Sequence, residues 1–497
     1  MTMRLPELLS GFGAINVPDL EVSELVQDSR AVTPGVAFVA LAGQRADVLR
    51  HAQQAQARGA VAVLSEAALL SFDGTNGNAG LNAATDLAIP QIVVPDLAQN
   101  LPKLAQRFFA DPGAKLSVIG VTGTNGKTST VQLLAQALSL LGVRTASQGT
   151  LGAGMHGALR PGSHTTPEVL TTYRFLAQSA AAGASHIAME VSSHALVQQR
   201  VQGVPFQVAI FTNLTRDHLD YHGTLEAYGA AKAKLFVWPG LSYAVINCDD
   251  PFGVSLLAAT SAKHKLSFGM HPAAQVRASQ VQLHAQGSAF RLDSPWGHTE
   301  IRCGLLGRFN VSNVLAVLAT LGALGFSLSE MAAALKQVTP VPGRMTALGG
   351  GSKPLVVVDY AHTPDALEQA LKSLREHTRG RLICVFGCGG DRDVGKRAQM
   401  GQVAATYADI SIVTDDNPRS EDPARIVADI AEGFGRTPFT VEHERAAAIR
   451  LGLSRSGVGD VLLIAGKGHE RTQDVAGQLR DFDDSLVVAA QLQSWAV

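Results

Sequence analysis

The most constraining feature of the sequence is an apolar run that breaks into a glycine-rich turn and then continues as a helix. Leu116 to Val121 is largely apolar and β-branched, as in a buried strand of a parallel sheet. The turn from Gly123 to Gly126 follows, and from Lys127 to Leu141 the apolar spacing suits a helix packed on that sheet. Backbone N–H groups and the helix dipole make such a helix start an anion site. The sequence therefore predicts an α/β fold organised around a bound phosphate.

The turn has the chemistry of a nucleotide site. In loops of this kind the lysine reaches the terminal phosphates and the next hydroxyl binds Mg²⁺, which assigns these roles to Lys127 and Thr128. The loop is a shorter variant of the common pattern, because Val121 stands where the first glycine is expected. A purely structural glycine turn is the alternative. The register of strand, loop, lysine and threonine favours ATP, bound by Gly123, Thr124, Asn125, Gly126, Lys127 and Thr128.

Length and composition restrict the classes of protein. A chain of 497 residues suggests roughly three domains. The net charge of −1 gives no indication of a nucleic-acid or membrane partner, and no apolar run is long enough to predict a membrane-spanning helix. The four cysteines are scattered, as expected of reduced thiols. We therefore expect a cytoplasmic protein, and we expect it to be a monomer.

Two Pro-Gly stretches, at 111–113 and 341–344, interrupt the pattern of strands and helices. They predict a small N-terminal α/β domain over residues 1–112, a central domain with a parallel sheet over 113–341, and a C-terminal Rossmann-like α/β domain over 342–497. Strands are predicted at 36–41, 60–64, 91–94, 116–121, 144–147, 186–191, 208–211, 243–246, 355–358, 382–386, 410–414 and 461–465. Strands that alternate with helices indicate parallel sheets with helices on both faces.

Polar residues follow these strands, at the positions where parallel α/β sheets bind ligands. In the central domain, Glu190 ends one strand and suits a second Mg²⁺ contact, while His218 follows the next strand and suits a metal or a phosphate. In the C-terminal domain, four strands end in polar clusters at 359–365, 387–393, 415–421 and 466–470. Solvated loops are the alternative for each cluster taken singly. The glycines at 387–390 lack a full dinucleotide fingerprint, so NAD is not expected.

Two further pairs of residues have open interpretations. Lys232 and Lys234 fall in a predicted helix, and from the residues alone a solvated helix face is the simpler interpretation. Asn310 and Asn313 are three residues apart at the start of another helix, so they share a face. A helix cap and a ligand contact are equal alternatives for Asn310.

Seven motifs together resemble the Mur ligase family, in order and across nearly the whole chain. They are Gly123-Thr-Asn-Gly-Lys-Thr128, Glu190-Val-Ser-Ser-His194, Thr212-Asn-Leu-Thr-Arg-Asp-His218, Gly307-Arg-Phe-Asn-Val-Ser-Asn313, Pro342-Gly-Arg344, Asp359-Tyr-Ala-His362 and Gly466-Lys-Gly-His-Glu470. The resemblance implies an ATP-dependent ligase of peptidoglycan synthesis. In addition, Asp416-Asn-Pro-Arg419 resembles the motif of members that add meso-2,6-diaminopimelate, rather than L-lysine, to UDP-N-acetylmuramoyl-L-alanyl-D-glutamate.

The resemblance also implies a mechanism. ATP phosphorylates the γ-carboxylate of the D-glutamyl group, and the amine of diaminopimelate attacks the acyl phosphate. The implied catalytic residues are Lys127, Lys232, His218 and Arg344, with Thr128 and Glu190 on one Mg²⁺ and His218 and Lys232 on a second. Lys232 is implied to be carbamylated by CO₂ to N6-carboxylysine, which turns a cation into a carboxylate ligand. Lys234 is the alternative position for this modification.

The remaining site residues receive their roles by the same likeness. ATP would also be contacted by Asn310, Asp359 and His362. The UDP substrate would be held by Ser29, Gln44, Arg45, Ala46, Thr165, Thr166, Ser192, Gln198 and Arg200, and diaminopimelate by Arg392, Asp416, Asn417, Pro418, Arg419, Gly466 and Glu470. Arg419 would pair with the distal carboxylate and Glu470 with the distal ammonium, which favours diaminopimelate over lysine. His164 replaces an asparagine found in some relatives, so no contact is carried over to it.

Three other functions compete with this one. A folylpolyglutamate synthetase shares the ATP loop but should lack a uridine-binding N-terminal domain. A lysine-adding ligase should lack the Asn-Pro-Arg sequence after Asp416. A non-catalytic nucleotide switch would hydrolyse ATP without an amino-acid acceptor, and it would leave the polar strand ends of the C-terminal domain without a role.

Overall fold

The computed structural model describes residues 2–15, 17–41, 45–67, 87–162, 164–284 and 287–495, without the side chains of Arg45 and Ala46. The predicted substrate contact at Gln44, and those of the side chains at 45 and 46, therefore lie outside the described residues. Within these ranges, every helix is too short or too polar to span a bilayer. We name residues 2–112, 113–341 and 342–495 the first, central and third units, following the predicted boundaries.

The first unit contains a four-stranded parallel sheet. Its elements are β1 (Met3–Arg4), α1 (Leu5–Leu9), β2 (Glu21–Val22), β3 (Glu24–Val26), β4 (Val36–Ala40), α2 (Arg45–Ala57), β5 (Ala62–Ser65), β6 (Gln91–Val93) and α3 (Leu97–Phe108). The sheet order is β3-β4-β5-β6, and β1 pairs with β2 separately. Leu97, Leu101, Leu104 and Phe108 recur at helical spacing and are buried. This apolar face of α3 joins a core that continues into the central unit.

The central unit is built on a ten-stranded sheet. Its elements are β7 (Ser117–Thr122), α4 (Lys127–Leu140), β8 (Thr145–Gly149), β9 (Gly152–Met155), α5 (Val169–Ala181), β10 (His186–Glu190), α6 (Ser193–Val197), β11 (Phe206–Phe211), α7 (Leu219–His222), α8 (Leu225–Ala233), β12 (Tyr243–Asn247), α9 (Pro251–Ala259), β13 (His264–Gly269), β14 (Val276–His284), β15 (Gly287–Ser294), β16 (Gly297–Cys303), α10 (Arg308–Ala323) and α11 (Leu328–Leu335). The strand β7 lies between β10 and β11, parallel to both. The ends of these three strands, where the predicted site residues follow, are therefore neighbours.

The edges of the central sheet differ from the predicted parallel arrangement. The sheet order is β16-β15-β14-β13-β12-β11-β7-β10-β8-β9, and the pairs β14–β15, β15–β16 and β8–β9 are antiparallel. In β14 buried residues alternate with partly exposed ones only from Val276 to Ser279, and the rest of the strand is partly or fully exposed. The predicted strands, which correspond to β7, β8, β10, β11 and β12, are parallel to one another as expected, and each antiparallel pair includes an edge strand that was not predicted.

The third unit contains a six-stranded sheet. Its elements are β17 (Thr346–Gly349), β18 (Leu355–Asp359), α12 (Pro364–Arg375), β19 (Leu382–Phe386), α13 (Gly395–Tyr407), β20 (Ile410–Val413), α14 (Pro423–Ala431), β21 (Thr440–Val441), α15 (Arg445–Ser454), β22 (Val461–Ala465), β23 (Thr472–Val475), β24 (Gln478–Asp481) and α16 (Asp484–Gln493). The order is β17-β18-β22-β19-β20-β21, with only β17 antiparallel within this sheet. The four predicted strands β18, β22, β19 and β20 are thus adjacent, and their polar ends meet at one edge.

Hydrogen bonds join the central unit to both of its neighbours. Towards the first unit, Arg174 on α5 donates to the carbonyl oxygen of Leu25 at 3.0 Å. Towards the third unit, the backbone N–H of Gly307 donates to Nε2 of His377 at 3.0 Å, and that of Arg308 donates to Oγ of Ser373 at 3.1 Å. The central unit is therefore hydrogen-bonded to both the first and the third unit.

Candidate active site

The phosphate loop follows β7 and ends where α4 begins at Lys127. Gly123 and Gly126 have φ angles of 149° and 86°, which favour glycine. A Cβ atom at Gly126 would lie 2.6 Å from Oδ1 of Asn313, so a side chain has no room there. Nζ of Lys127 donates to the carbonyl oxygens of Gly123 at 2.9 Å and Thr124 at 2.8 Å. The lysine therefore curls over the loop in which a phosphate would bind.

Asn310 and Asn313 lie next to each other on α10, and Asn313 packs against this loop. Nδ2 of Asn313 donates to Oδ1 of Asn310 at 3.0 Å, and Nδ2 of Asn310 donates to the carbonyl oxygen of Leu306 at 2.8 Å. The N-cap position of α10 is Gly307, so the alternative that Asn310 caps the helix was wrong. Asn310 is buried and does not line the cavity described below. Its predicted contact with ATP stays a prediction.

Glu190 lies at the end of β10, next to the start of α4. Its Oε2 accepts a hydrogen bond from Oγ1 of Thr128 at 3.0 Å, and its Oε1 accepts one from the backbone N–H of Thr150 at 2.8 Å. Glycine at 149 permits this approach, because a Cβ atom there would lie 2.2 Å from Oε1 of Glu190. The two predicted Mg²⁺ ligands of the first site, Thr128 and Glu190, are therefore in direct contact.

Lys232, on α8, and Lys234, just after α8, have opposite environments. Lys232 is 1% exposed, and its Nζ donates to the carbonyl oxygen of Gly123 at 2.8 Å. Burial lowers the pKa of Lys232 well below its ordinary value, and the nearby ammonium of Lys127 lowers it further. Lys234 is exposed. A solvated helix face was therefore the wrong interpretation for Lys232 and the right one for Lys234.

His218 lies beside this buried lysine, at the start of α7, with a left-handed backbone of φ 53°. Its ring meets the edge of the His194 ring, with the centroids 4.9 Å apart. Burial lowers the pKa of His218, although Asp217 opposes that shift. A neutral imidazole at neutral pH keeps a lone pair for a ligand.

The loop that carries His218 is hydrogen-bonded to the phosphate loop. Oδ1 of Asn213 accepts from the backbone N–H of Asn125 at 2.9 Å, and Oγ1 of Thr212 donates to the carbonyl oxygen of Asn125 at 2.6 Å. The backbone N–H of Thr215 donates to Oγ1 of Thr124 at 2.9 Å. The two loops are therefore held together by direct hydrogen bonds.

The third unit contributes the opposite side of the cleft. The guanidinium of Arg344 lies 4.7 Å from the ring centroid of Tyr360, and its Nε is buried without a partner among the described residues. Burial raises the pKa of Asp359, an effect that Arg344 opposes. Nδ1 of His362 lies 2.8 Å from the carbonyl oxygen of Tyr360, so it carries the proton and leaves Nε2 as an acceptor.

These groups enclose a cavity of about 380 Å³ between the central and third units. From the central unit it is lined by 124–129, Thr150, Thr165, Glu190, Ser192, Ser193, 215–218, Tyr228 and Lys232, and from the third unit by Arg344, 359–363, Asp365 and Ala366. The predicted ATP and metal residues are thus brought together, apart from Gly123 and Asn310, which lie behind the wall.

The predicted contacts for the UDP substrate are only partly gathered at this cavity. Thr165 and Ser192 line it, and Thr166 lies just beneath, where its Oγ1 donates to the carbonyl oxygen of Glu190 at 2.8 Å. Arg200 donates to the carbonyl oxygen of Thr166 at 3.0 Å and also contacts Gln198. Ser29, in the first unit, is buried with its Oγ 3.1 Å from Oε1 of Gln54 and lines neither this cavity nor the next.

A second, larger cavity of about 1150 Å³ adjoins the first. It is lined by Arg392, Asp416, Asn417, Arg419, Gly466 and Glu470, which are the predicted contacts for diaminopimelate except Pro418. The two cavities share the wall formed by Arg216, Asp217, His218, Tyr360, His362, Thr363 and Asp365. The two cavities are therefore immediate neighbours.

The two loops that line the second cavity are bonded to one another. Nη1 of Arg419 donates to the carbonyl oxygen of Gly390 at 2.6 Å, and the backbone N–H of Gly390 donates to the carbonyl oxygen of Asn417 at 2.9 Å. Nδ2 of Asn417 donates to Oε2 of Glu470 at 2.8 Å. The guanidinium of Arg419 has further N–H donors for a carboxylate in the cavity.

Several residues of the site were not predicted from the sequence. Thr150 and Tyr228 contact Glu190 and Lys232, Asp365 contacts the phosphate loop, and Lys467 contacts Glu470. Thr150 follows a strand end, which is the signal that could have identified it. The fully buried Lys467 lies within the motif 466–470, but a lysine in a loop is ordinarily expected to be exposed.

A phosphate loop that faces the polar strand ends of a second parallel sheet defines a nucleotide-dependent α/β enzyme with a second substrate cavity. Residues 121–321 match the family model of the Mur ligase middle domain, and residues 343–468 match that of the Mur ligase, glutamate ligase domain. The chain belongs to the Mur ligase family.

Individual relatives agree over nearly the whole chain. The UDP-N-acetylmuramoyl-L-alanyl-D-glutamate--2,6-diaminopimelate ligase of Xanthomonas campestris pv. campestris (strain 8004) is 54% identical over 481 residues, which cover 95% of this chain and 94% of the relative. The protein of the same name from Ectopseudomonas mendocina (strain ymp) is 50% identical over 477 residues, or 95% and 96%. A solved structure of a ligase with that name is 36% identical, covers 99% of both chains and has a TM-score of 0.70.

Proposed function

We propose that this protein is an ATP-dependent ligase of peptidoglycan synthesis that adds meso-diaminopimelate to UDP-N-acetylmuramoyl-L-alanyl-D-glutamate. The observation that carries the proposal is the wall shared by the two cavities. A ligase must activate a carboxylate with ATP and then present it to an amine without loss to water. Joined cavities, one with the phosphate loop and one with paired acidic and basic groups, suit this sequence of steps, and the names of the relatives agree with it.

In the first step, the γ-carboxylate of the D-glutamyl group attacks the γ-phosphorus of ATP, which forms an acyl phosphate and releases ADP. Two anions have to approach, so positive groups are needed around them. Lys127 over the phosphate loop and Arg344 on the opposite wall supply that charge. In the second step the amine attacks the acyl carbon, phosphate leaves from the tetrahedral intermediate, and the amide forms.

The residues present fit Mg²⁺. The hydroxyl of Thr128 and the carboxylate of Glu190 are oxygen donors within 3.0 Å of each other, and Mg²⁺ prefers a few protein oxygens completed by phosphate and water. Among the described residues there is no group of three or more His, Cys, Asp and Glu side chains that would make a protein-only metal cage. When bound, Mg²⁺ would neutralise the transferred phosphoryl group. Thr128 and Glu190 would hold one ion, and His218 with a modified Lys232 would hold a second.

We assign the modification to Lys232. Its neutral Nζ would attack CO₂, lose a proton and form an N-carboxylate. The burial of Lys232 and its contact with the Gly123 carbonyl oxygen support this assignment, because two ammonium groups at one oxygen repel each other. A carbamate on Lys232 would replace that repulsion with attraction to Lys127.

The test is phosphate release from ATP in the presence of the UDP-muramoyl dipeptide, with either meso-diaminopimelate or L-lysine. We expect release with diaminopimelate and little with lysine, because only the former has a distal carboxylate for Arg419. Release with lysine alone would leave the ligase class and overturn the amino-acid specificity. Release that is independent of any amino acid would favour a nucleotide switch.

Other parts of the sequence interpretation stay predictions. They are the boundaries at 112 and 341, the monomeric state, the cytoplasmic location and the contacts of Ser29 and Gln44 to Ala46 with the UDP substrate. Size-exclusion chromatography with light scattering tests the predicted monomeric state, because it measures the number of chains per particle in solution.

A further inference from the structure

Lys467 is a fully buried lysine that lies behind the wall of the second cavity. Its side chain is 0% exposed, and its Nζ donates to Oδ1 of Asn417 and to Oε2 of Glu470, both at 3.0 Å. A buried ammonium is costly unless it is paired and hydrogen-bonded, and these two contacts satisfy that requirement. Lys467 is not among the residues that line the cavity, and its two side-chain contacts, Asn417 and Glu470, both are.

The two glycines that flank Lys467 fix its position. Gly466 and Gly468 have φ angles of 117° and 55°. A Cβ atom at Gly466 would lie 2.3 Å from Oδ2 of Asp416, and one at Gly468 would lie 2.7 Å from Cβ of Tyr360. The backbone on both sides of Lys467 therefore packs closely against Asp416 and Tyr360.

The contacts of Lys467 fix the orientation of Asn417. Oδ1 of Asn417 accepts from Lys467 and from the backbone N–H of Asp474 at 3.0 Å, so this atom must be the oxygen. Nδ2 then donates to Oε2 of Glu470. Oε2 is thus occupied twice, while no hydrogen bond to Oε1 of Glu470 occurs within the described part of the chain. Oε1 is the oxygen left for a substrate ammonium.

The same contacts determine the charge that Glu470 presents to the cavity. Burial raises the pKa of Glu470, but Lys467 and Asn417 more than offset this, and the pKa lies below its ordinary value. Glu470 is therefore an anion whose charge is balanced from behind by Lys467. Arg392 and Arg419, on the cavity side, are left with their positive charge for a carboxylate.

We propose that Lys467 is a positioning residue that makes the cavity select an amino acid whose far end carries both an ammonium and a carboxylate, over one that carries an ammonium alone. This inference rests on the proposed ligase function. With Lys467 present, the charge of Glu470 is largely neutralised, so a substrate ammonium is attracted only weakly. A substrate carboxylate is still attracted by the full charges of Arg392 and Arg419. Without the Lys467 charge, Glu470 attracts ammonium more strongly and repels carboxylate.

The test compares kcat/KM for meso-diaminopimelate with kcat/KM for L-lysine in the wild type, Lys467→Met and Lys467→Gln. We expect the ratio of the two values to fall by about tenfold or more in both variants. The ratio does not depend on the fraction of folded enzyme, so partial misfolding leaves it interpretable. Lys467→Gln keeps an N–H donor and removes only the charge, and it should reproduce the shift of Lys467→Met.

A matched control is Lys372→Met, because Lys372 also pairs with a glutamate that lines the same cavity, Glu368. Lys372 is 48% exposed, so its charge is screened and its removal should leave the ratio within about twofold. Equal losses for both amino acids in the Lys467 variants would mean a merely structural role and would overturn the inference. A wild type that ligates neither amino acid would instead overturn the proposed function itself.

Discussion

At the scale of single residues, Lys232 and Lys234 show how burial gives two lysines close in the chain different chemistry. Lys232 and Lys127 both donate to the carbonyl oxygen of Gly123, whereas Lys234 points to solvent. Pairs of ammonium groups this close are unfavourable unless one is neutral or modified. Burial and the neighbouring ammonium of Lys127 both lower the pKa of Lys232, which supports its proposed reaction with CO₂.

We expect Lys232→Ala to abolish ligation, and we expect a short carboxylate such as acetate to restore part of it by entering the space of the missing carbamate. The measurement is phosphate release with all three substrates, with and without added carboxylate. Lys234→Ala is the matched control and should keep nearly full activity, because that side chain is exposed. Full activity of Lys232→Ala without any rescue would contradict the carbamate.

Gly149 is a second position at which a single added atom, a Cβ, would change the position of the Glu190 carboxylate. An added Cβ atom would lie 2.2 Å from Oε1 of Glu190, so Gly149→Ala should push that carboxylate away from Thr128. We expect the Mg²⁺ concentration for half-maximal activity to rise by about 10- to 100-fold, as for other changes that misplace metal ligands. The measurement is a Mg²⁺ titration at saturating ATP.

Gly162→Ala is the control for that substitution, because a Cβ atom at Gly162 would meet nothing within 4 Å. Its Mg²⁺ dependence should match the wild type. If Gly149→Ala left the Mg²⁺ dependence unchanged while lowering thermal stability, the contact between Gly149 and Glu190 would be one of packing only.

At the scale of elements, the continuous apolar runs predicted the parallel strands well. Strands β7, β10, β11 and β12 and the third-unit strands β18, β19, β20 and β22 are almost wholly buried, so their sequences are largely apolar. Strands β14 to β16 and the pair β23–β24 were missed, because they mix polar and apolar residues and are partly exposed. Composition alone does not separate such strands from loops.

The site residues that were predicted from the residues alone are those that follow the predicted parallel strands. Residues at strand ends, such as Glu190, Asp359 and Asp416, were predicted because the chain order of a parallel sheet places its ends together. Lys467 and Asp365 lie in the predicted polar clusters 466–470 and 359–365 but were given no individual role, because their importance depends on what folds against them. The family resemblance supplied Lys232, which the residues alone would have assigned to a solvated face.

At the scale of the whole molecule, Asp365 connects the third unit to the phosphate loop. Its Oδ2 accepts from Nδ2 of Asn125 at 3.0 Å and from Oγ1 of Thr215 at 3.3 Å. The residue lies in the first turn of α12, after the cap Thr363. One carboxylate therefore contacts both loops of the central unit that line the first cavity.

We expect Asp365→Ala to lower kcat/KM for ATP by about 10- to 150-fold, because hydrogen bonds to a charged group contribute roughly 1.5–3 kcal/mol and this one aligns two units. Glu376→Gln is the matched control, since it breaks another contact between the same units, the half-exposed pair with Arg308 at 2.8 Å. Its effect should stay within about threefold. Equal effects of the two substitutions would mean that Asp365 contributes only general contact between the units.

For inhibitor design, the shared wall of the two cavities means that one compact molecule reaches both sites. A compound with an anionic head for the phosphate loop and a zwitterionic tail for Arg419 and Glu470 would pass over Tyr360 and His362. It would not have to mimic either substrate completely. Its affinity would be raised because binding in one cavity increases the effective concentration of the linked group at the other. Resistance by a single substitution in one cavity would then leave the other half of the binding energy in place.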